Sequence, residues 1–120
     1  MVRIEALIIG DELLDGRVTD TNTVRLAQGL SEMGLKIQQR TTITDDLDII
    51  VREATNIAER GTKVCVVSGG LGPTSDDITA ESFAALLGVE LQRDALEAQK
   101  IEERLLKRGR EVTPNQLRQA

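Results

Sequence analysis

Histidine is absent from these 120 residues, and that absence excludes more chemistry than any other feature. No Ser-His-Asp or Cys-His device can be assembled, and neither can a His-ligated zinc or an imidazole proton shuttle. Tryptophan and tyrosine are missing too, and Phe83 is the single aromatic. The core must therefore be aliphatic, and stacked bases have no aromatic platform. Cys65 is the only cysteine, so no intramolecular disulfide can form, which fits a reducing, cytoplasmic setting. Within the apolar "VCVVSGG" it reads as a small core residue. No apolar run approaches a membrane span, and "MVRIEALIIG" lacks the long apolar region and cleavage site of a leader. A net charge of -5 argues against a broad nucleic-acid or anionic-membrane surface. The one basic cluster, "LLKRGR" at residues 105–110, reads as a helix C-terminus whose cations complement the dipole.

What remains for chemistry is carboxylates, hydroxyls, backbone amides and a hard, oxygen-loving cation. Apolar periodicity lays these out on a strand-then-helix rhythm. "RIEALII" (3–9) has the short apolar run of a buried strand. From Asn22, Leu26, Ala27, Leu30 and Met33 fall on one helical face, which Gly34 ends. A more polar strand, "KIQQRTTI" (36–43), belongs near a sheet edge. Leu47, Ile50, Val51, Ala54, Ile57 and Ala58 mark a second helix, capped by Asp45 or Asp46 and ended by Gly61. "KVCVV" (63–67) is the third strand, and Ala80, Phe83, Ala84 and Leu87 form the next helical stripe, closed by Gly88. "VEL" (89–91) is expected to be extended. A last helix starts at Asp94, with Glu97 in a capping-box position, and runs to about Gly109. Such alternation implies βαβ units, a parallel sheet covered on both faces and a single domain over 1–120. Right-handed crossovers bring the carboxyl ends of the strands to one edge, where ligands of such folds bind.

Each strand delivers acids to that edge: Asp11 and Glu12 after the first, Asp45 and Asp46 after the second, Asp76 and Asp77 after the third. One such corner needs no more explanation than helix capping. Three corners beside one glycine loop favour a site. In "SGGLGPTSDD" (68–77), Gly69, Gly70 and Gly72 leave backbone N–H groups unobstructed, and Ser68, Thr74 and Ser75 add hydroxyl donors. The loop lacks the lysine and spacing of a P-loop. Carboxylates beside a phosphate are tolerable when Mg²⁺ bridges them, because magnesium takes one or two carboxylates together with phosphate oxygens. The pattern points to phosphoryl or nucleotidyl chemistry on a phosphate-bearing small molecule.

"GDELLDGRVTDTN" (10–22) with "SGGLGPTSDDIT" (68–79) resembles the N-terminal domain of the competence/damage-inducible CinA proteins, within the MoaB/MogA molybdopterin-binding superfamily. "TITDDLDII" and "VTPNQLRQA" also stand where that pattern expects them. The resemblance implies a three-layer α/β/α fold with a mainly parallel sheet. It assigns catalytic and metal-binding roles to Asp45 and Asp77, with Asp11 and Asp76 behind them as ligands and the Asp45/Asp46 doublet left open. It assigns ligand binding to Gly10, Asp11, Glu12, Asn22, Ser68, Gly69, Gly70, Gly72, Thr74 and Ser75. Asp77 is preferred over Asp76 because it stands two residues before Thr79 in the shared D-x-T pattern. At a helix start the two would point about 100° apart.

In the CinA branch the resemblance implies metal-dependent hydrolysis of the pyrophosphate of ADP-ribose or a related nucleotide, with Mg²⁺ and Co²⁺ or Mn²⁺ as substitutes. The molybdenum-cofactor branch implies binding of a pterin phosphate, or adenylyl transfer. A non-catalytic binding or oligomerisation module is the third reading. Self-association is expected, as are further elements beyond Ala120, so the chain reads as an incomplete domain without the amidase domain that often accompanies it.

Overall fold

The computed structural model describes residues 2–120. Its centre is β1 (Ile4–Ile9), six consecutive buried residues. Only a strand flanked on both sides and both faces can bury such a run. β2 (Gln39–Ile43) and β3 (Val64–Ser68) pair with it in parallel, in the order β2-β1-β3. Ile9 stands opposite Ile43, and Ile8 opposite Ser68, so all three strands end at one level. The polar β2 is an edge strand, as expected. It begins at Gln39, and the preceding Gln38 N–H already donates to the Ile4 carbonyl (2.9 Å).

α3 (Leu47–Glu59) and α4 (Thr79–Leu87) cover one face. Ile50, Ala54 and Ile57 are buried at spacings of four and three on α3, one stripe of a 3.6-residue period. They meet Leu7, Ile9 and Ile43, with Val67, Ile78 and Phe83 packed around them. The core is aliphatic, with Phe83 at its margin. Gly61 (φ 78°) and Gly88 (φ 66°) end these helices in the left-handed region, where a side chain would be strained. The Val89 N–H then turns back to the Ala84 carbonyl (3.0 Å). Residues 89–91, expected to be extended, follow this turn and join no sheet among the described residues.

α2 (Asn22–Glu32) lies on the opposite face and completes the three layers. It covers the β1 side and leaves a cavity of about 250 Å³ against β3, lined by Ala6, Ile8, Leu26 and Val66. Coverage of that face is thus partial. Cys65, expected in the core, is exposed. The reason is that, among the described residues, β3 is the other edge strand of this sheet. Two short helices escaped the periodicity, α1 (Asp11–Leu14) and α6 (Pro114–Leu117), each only four residues long. α6 carries a full capping box between Thr113 and Gln116 and packs on α5 (Ala95–Lys107). Among the described residues no helix is long and apolar enough to cross a membrane.

The Asp45/Asp46 doublet resolves at the start of α3. Asp46 is the cap, its Oδ1 accepting the Ile49 N–H (3.1 Å). Asp46→Ala should therefore lower stability by about 1 kcal/mol, read as a shift in the urea midpoint at constant slope.

Candidate functional site

At the shared edge the first two corners are laced together. The Asp11 N–H donates to Asp45 Oδ2 (3.2 Å), and the Asp45 N–H returns to Asp11 Oδ1 (3.3 Å). The Thr44 hydroxyl donates to the same Asp11 oxygen, and the Gly10 N–H reaches the Ile43 carbonyl (3.0 Å). Backbone donors thus hold two carboxylates side by side. Asp45 bears the consequence: burial pushes its carboxyl above the usual range, the Asp11 N–H opposes this, and the charges of Asp11, Glu12 and Asp76 push it further up. The ionised form is the unfavourable one, so Asp45 subtracts stability as pH rises from its unfolded value through its folded one. Asp45→Asn keeps an acceptor for Asp11 and removes the charge. Its melting temperature at neutral pH should equal or exceed that of the parent, checked by calorimetry.

The third corner joins through its glycines. At Gly69 (φ 93°) a Cβ would lie 2.0 Å from the Ile9 carbonyl oxygen, and at Gly70 (φ 68°) 2.1 Å from Thr79 Oγ1. No other residue fits either position. Thr79, buried at the first position of α4, donates its hydroxyl to the Gly69 carbonyl (2.7 Å) and its N–H to the Gly70 carbonyl (3.2 Å). The glycine turn is thereby clamped between the end of β1 and the N-terminus of α4. Asn22, at the start of α2, donates to Ser68 Oγ (3.2 Å), which brings that predicted pair to the rim as well.

Residues 71–77 behave differently. Asp76 and Asp77 were expected on a helix start, but α4 begins only at Thr79, so the 100° argument does not apply. They lie in a turn, with Ser75 exposed beside them. Asp77 Oδ2 accepts both the N–H (2.9 Å) and the hydroxyl (2.7 Å) of Thr74. Burial works to raise its pKa, but those two bonds and the Arg118 charge hold it below the usual carboxylate range. Its carboxylate is turned into its own loop, in a pocket of about 200 Å³ shared with Gly70, Gly72 and Arg118. Asp76 is the member of the pair whose charge raises Asp45.

Three contributors escaped sequence reasoning. Thr44 and Thr79 set the carboxylate pair and the glycine turn. Thr79 had a signal in the D-x-T spacing, whereas Thr44 had none beyond its place next to Asp45. Arg118 comes from the far end of the chain and donates to the Thr74 and Asp77 carbonyls (3.0 and 3.1 Å) and to Glu81 (2.6 Å). Contacts across 37 to 44 residues leave no local pattern.

A parallel α/β sheet with acids and a clamped glycine turn at its carboxyl edge defines a small-ligand-binding domain of the doubly wound class. Residues 5–115 match the family described as "Probable molybdopterin binding domain", and the chain belongs to that family as an N-terminal domain of CinA and MoaB/Mog type. It is 42% identical over 119 residues to a CinA-like protein of Anaeromyxobacter sp. (strain K), covering 99% of this chain and 29% of that protein. The chain thus spans under a third of such a relative's length. The crystal structure of CinA from Thermoplasma acidophilum superposes with a TM-score of 0.80 at 34% identity, over 96% of this chain and 66% of that one. The tungsten cofactor synthesizing protein MoaB from Pyrococcus furiosus shares the fold, with a TM-score of 0.65 at 23% identity, over 88% of this chain and 65% of that one.

Proposed function

We propose that this domain holds the phosphate of a nucleotide or pterin at the strand-end edge and, with a divalent cation, hydrolyses the pyrophosphate of ADP-ribose or a related nucleotide. The observation that carries this reading is the enforced closeness of Asp11 and Asp45 beside the clamped Gly69–Gly70 turn. The turn and the N-terminus of α4 offer backbone N–H groups and positive potential to phosphate oxygens. Asp45, crowded by Asp11, Glu12 and Asp76, gains from the arrival of a cation.

The donor set suits Mg²⁺, with Mn²⁺ or Co²⁺ as substitutes. Only hard oxygens are on offer, and among the described residues no group of three or more His, Cys, Asp or Glu side chains forms a ready-made cage. Magnesium takes one or two carboxylates and completes its shell with substrate phosphates and water. Asp45 would hold it with Asp11 or Asp76, and the ion would supply polarisation of a phosphoryl group. Asp77, through Thr74, shapes the loop that meets the phosphate.

One observation favours binding without chemistry: the Asp77 carboxylate is already occupied by Thr74. Titration calorimetry with ADP-ribose and with molybdopterin, each with and without Mg²⁺, separates the readings when AMP release is followed in parallel. The hydrolase reading expects Mg²⁺-dependent ADP-ribose binding and AMP release. Tight pterin binding without affinity for ADP-ribose would replace it with the carrier role.

A further inference from the structure

The basic cluster at residues 105–110 does more than complement a helix dipole. Arg104 and Lys107 do occupy the last turn of α5. Beyond them Gly109 (φ 67°) breaks the helix, and the Arg110 N–H returns to the Leu105 carbonyl (2.9 Å), folding Arg110 back beside the helix end. Arg104, Arg108 and Arg110 consequently line one cavity of about 290 Å³, with Gln116 and Gln119 of the α6 segment and Pro73 of the glycine loop. Among the described residues none of these three guanidinium groups has a carboxylate within 4.0 Å, whereas neighbouring Arg118 is committed to Glu81 at 2.6 Å. Gln116 Oε1 is taken by the Thr113 N–H (2.9 Å), which leaves its amide nitrogen as the free donor. In a chain carrying twenty acids and fifteen bases, a cavity lined by three arginines and no acidic side chain is a specific arrangement. Unneutralised guanidinium groups crowded together repel, and their planar forks match phosphate oxygens.

We infer that the cavity between α5 and α6 is a phosphate-binding site, separate from the strand-end edge and walled on one side by the glycine loop. Its ligand is a phosphoanion, either free or the outlying phosphate of a nucleotide whose other end lies across Pro73. Arg108 and Arg110 are exposed, so replacing them leaves the core intact.

The test is titration of inorganic pyrophosphate into the full chain in EDTA at fixed ionic strength, which removes any cation-dependent binding at the carboxylates. The parent should bind, and Arg108→Gln/Arg110→Gln should bind at least ~tenfold more weakly, as expected for losing charge-assisted bonds. Removing two positive charges elsewhere, in Arg52→Gln/Lys63→Gln, both exposed, should leave binding as in the parent. ADP-ribose titrated the same way identifies the source: weakening by the double substitution marks an extension of a nucleotide site, and no effect marks a free-anion site. Absence of pyrophosphate binding by the parent, equal binding by the Arg108/Arg110 variant, or the same weakening in Arg52→Gln/Lys63→Gln would each overturn the inference. None of these outcomes depends on hydrolysis of ADP-ribose.

Discussion

Gly69→Ala should cost more than about 3 kcal/mol and disconnect the third strand-end corner from the other two. Two effects combine there. The backbone has φ 93°, and the added Cβ would lie 2.0 Å from the Ile9 carbonyl oxygen. That obstacle is backbone at the end of the central strand, so it cannot rotate away as a side chain would. Relief requires β3 to withdraw from β1, which breaks the Ile8–Ser68 pairing level and releases the Thr79 clamp on the Gly69 carbonyl. Urea unfolding gives the stability loss, and nucleotide titration of the surviving folded fraction should show weakened binding. A contrasting substitution is Gly29→Ala, in the middle of α2, where nothing lies within 4 Å of the new Cβ. There alanine should be neutral or slightly stabilising.

The second large effect sits at the opposite end of the sheet. Glu5 is fully buried in β1, yet charged. Its carboxylate accepts from Arg60 at 2.7 and 3.2 Å, from Arg3 at 3.1 Å and from the Thr62 hydroxyl. The Arg60 bonds are the strongest influence, outweighing burial, and the pKa falls from the ordinary 4.5 to about 2. A depressed acid pKa adds stability that is complete above about 4.5 and is lost as pH falls through about 2. Glu5→Gln should therefore cost about 3 kcal/mol at neutral pH. It should also flatten the stability profile between pH 4.5 and 2, the window set by the two values. Chemical denaturation across that pH range measures both. A variant that loses stability in parallel with the parent on acidification would show that other carboxylates carry the acid sensitivity.

Periodicity reads what is local and repeated. The α3 stripe of Ile50, Ala54 and Ile57, the six-residue run of β1 and the terminating glycines all came from spacing alone. The edge position of β3 did not, because "KVCVV" is as apolar as an interior strand and only pairing order decides its flank. Nothing in "RIEALII" marks the role of Glu5, since its partners Arg60 and Thr62 lie more than fifty residues away. At the site, residue types and positions at the sheet edge were legible, and so was the doublet at residues 45–46. The division of labour within it was not. Which aspartate caps α3 and which meets Asp11 depends on one residue of backbone phase, which the sequence of two identical side chains cannot encode. The same applies to Asp76 and Asp77. The turn before Thr79 delays α4 and sends Asp77 into its own loop.

Cation-assisted nucleotide binding at Asp45 is the central proposal, and Mn²⁺-dependent binding of ADP-ribose tests it most directly. Titration calorimetry of the parent, Asp45→Asn and Asp46→Ala, each with Mn²⁺ and with EDTA, isolates the increment due to the cation. The parent should bind ADP-ribose more tightly with Mn²⁺. Asp46→Ala should keep that increment while losing only its cap, and Asp45→Asn should lose it while remaining folded. An equal increment in Asp45→Asn, or none in the parent, would contradict a cation site at the laced carboxylates.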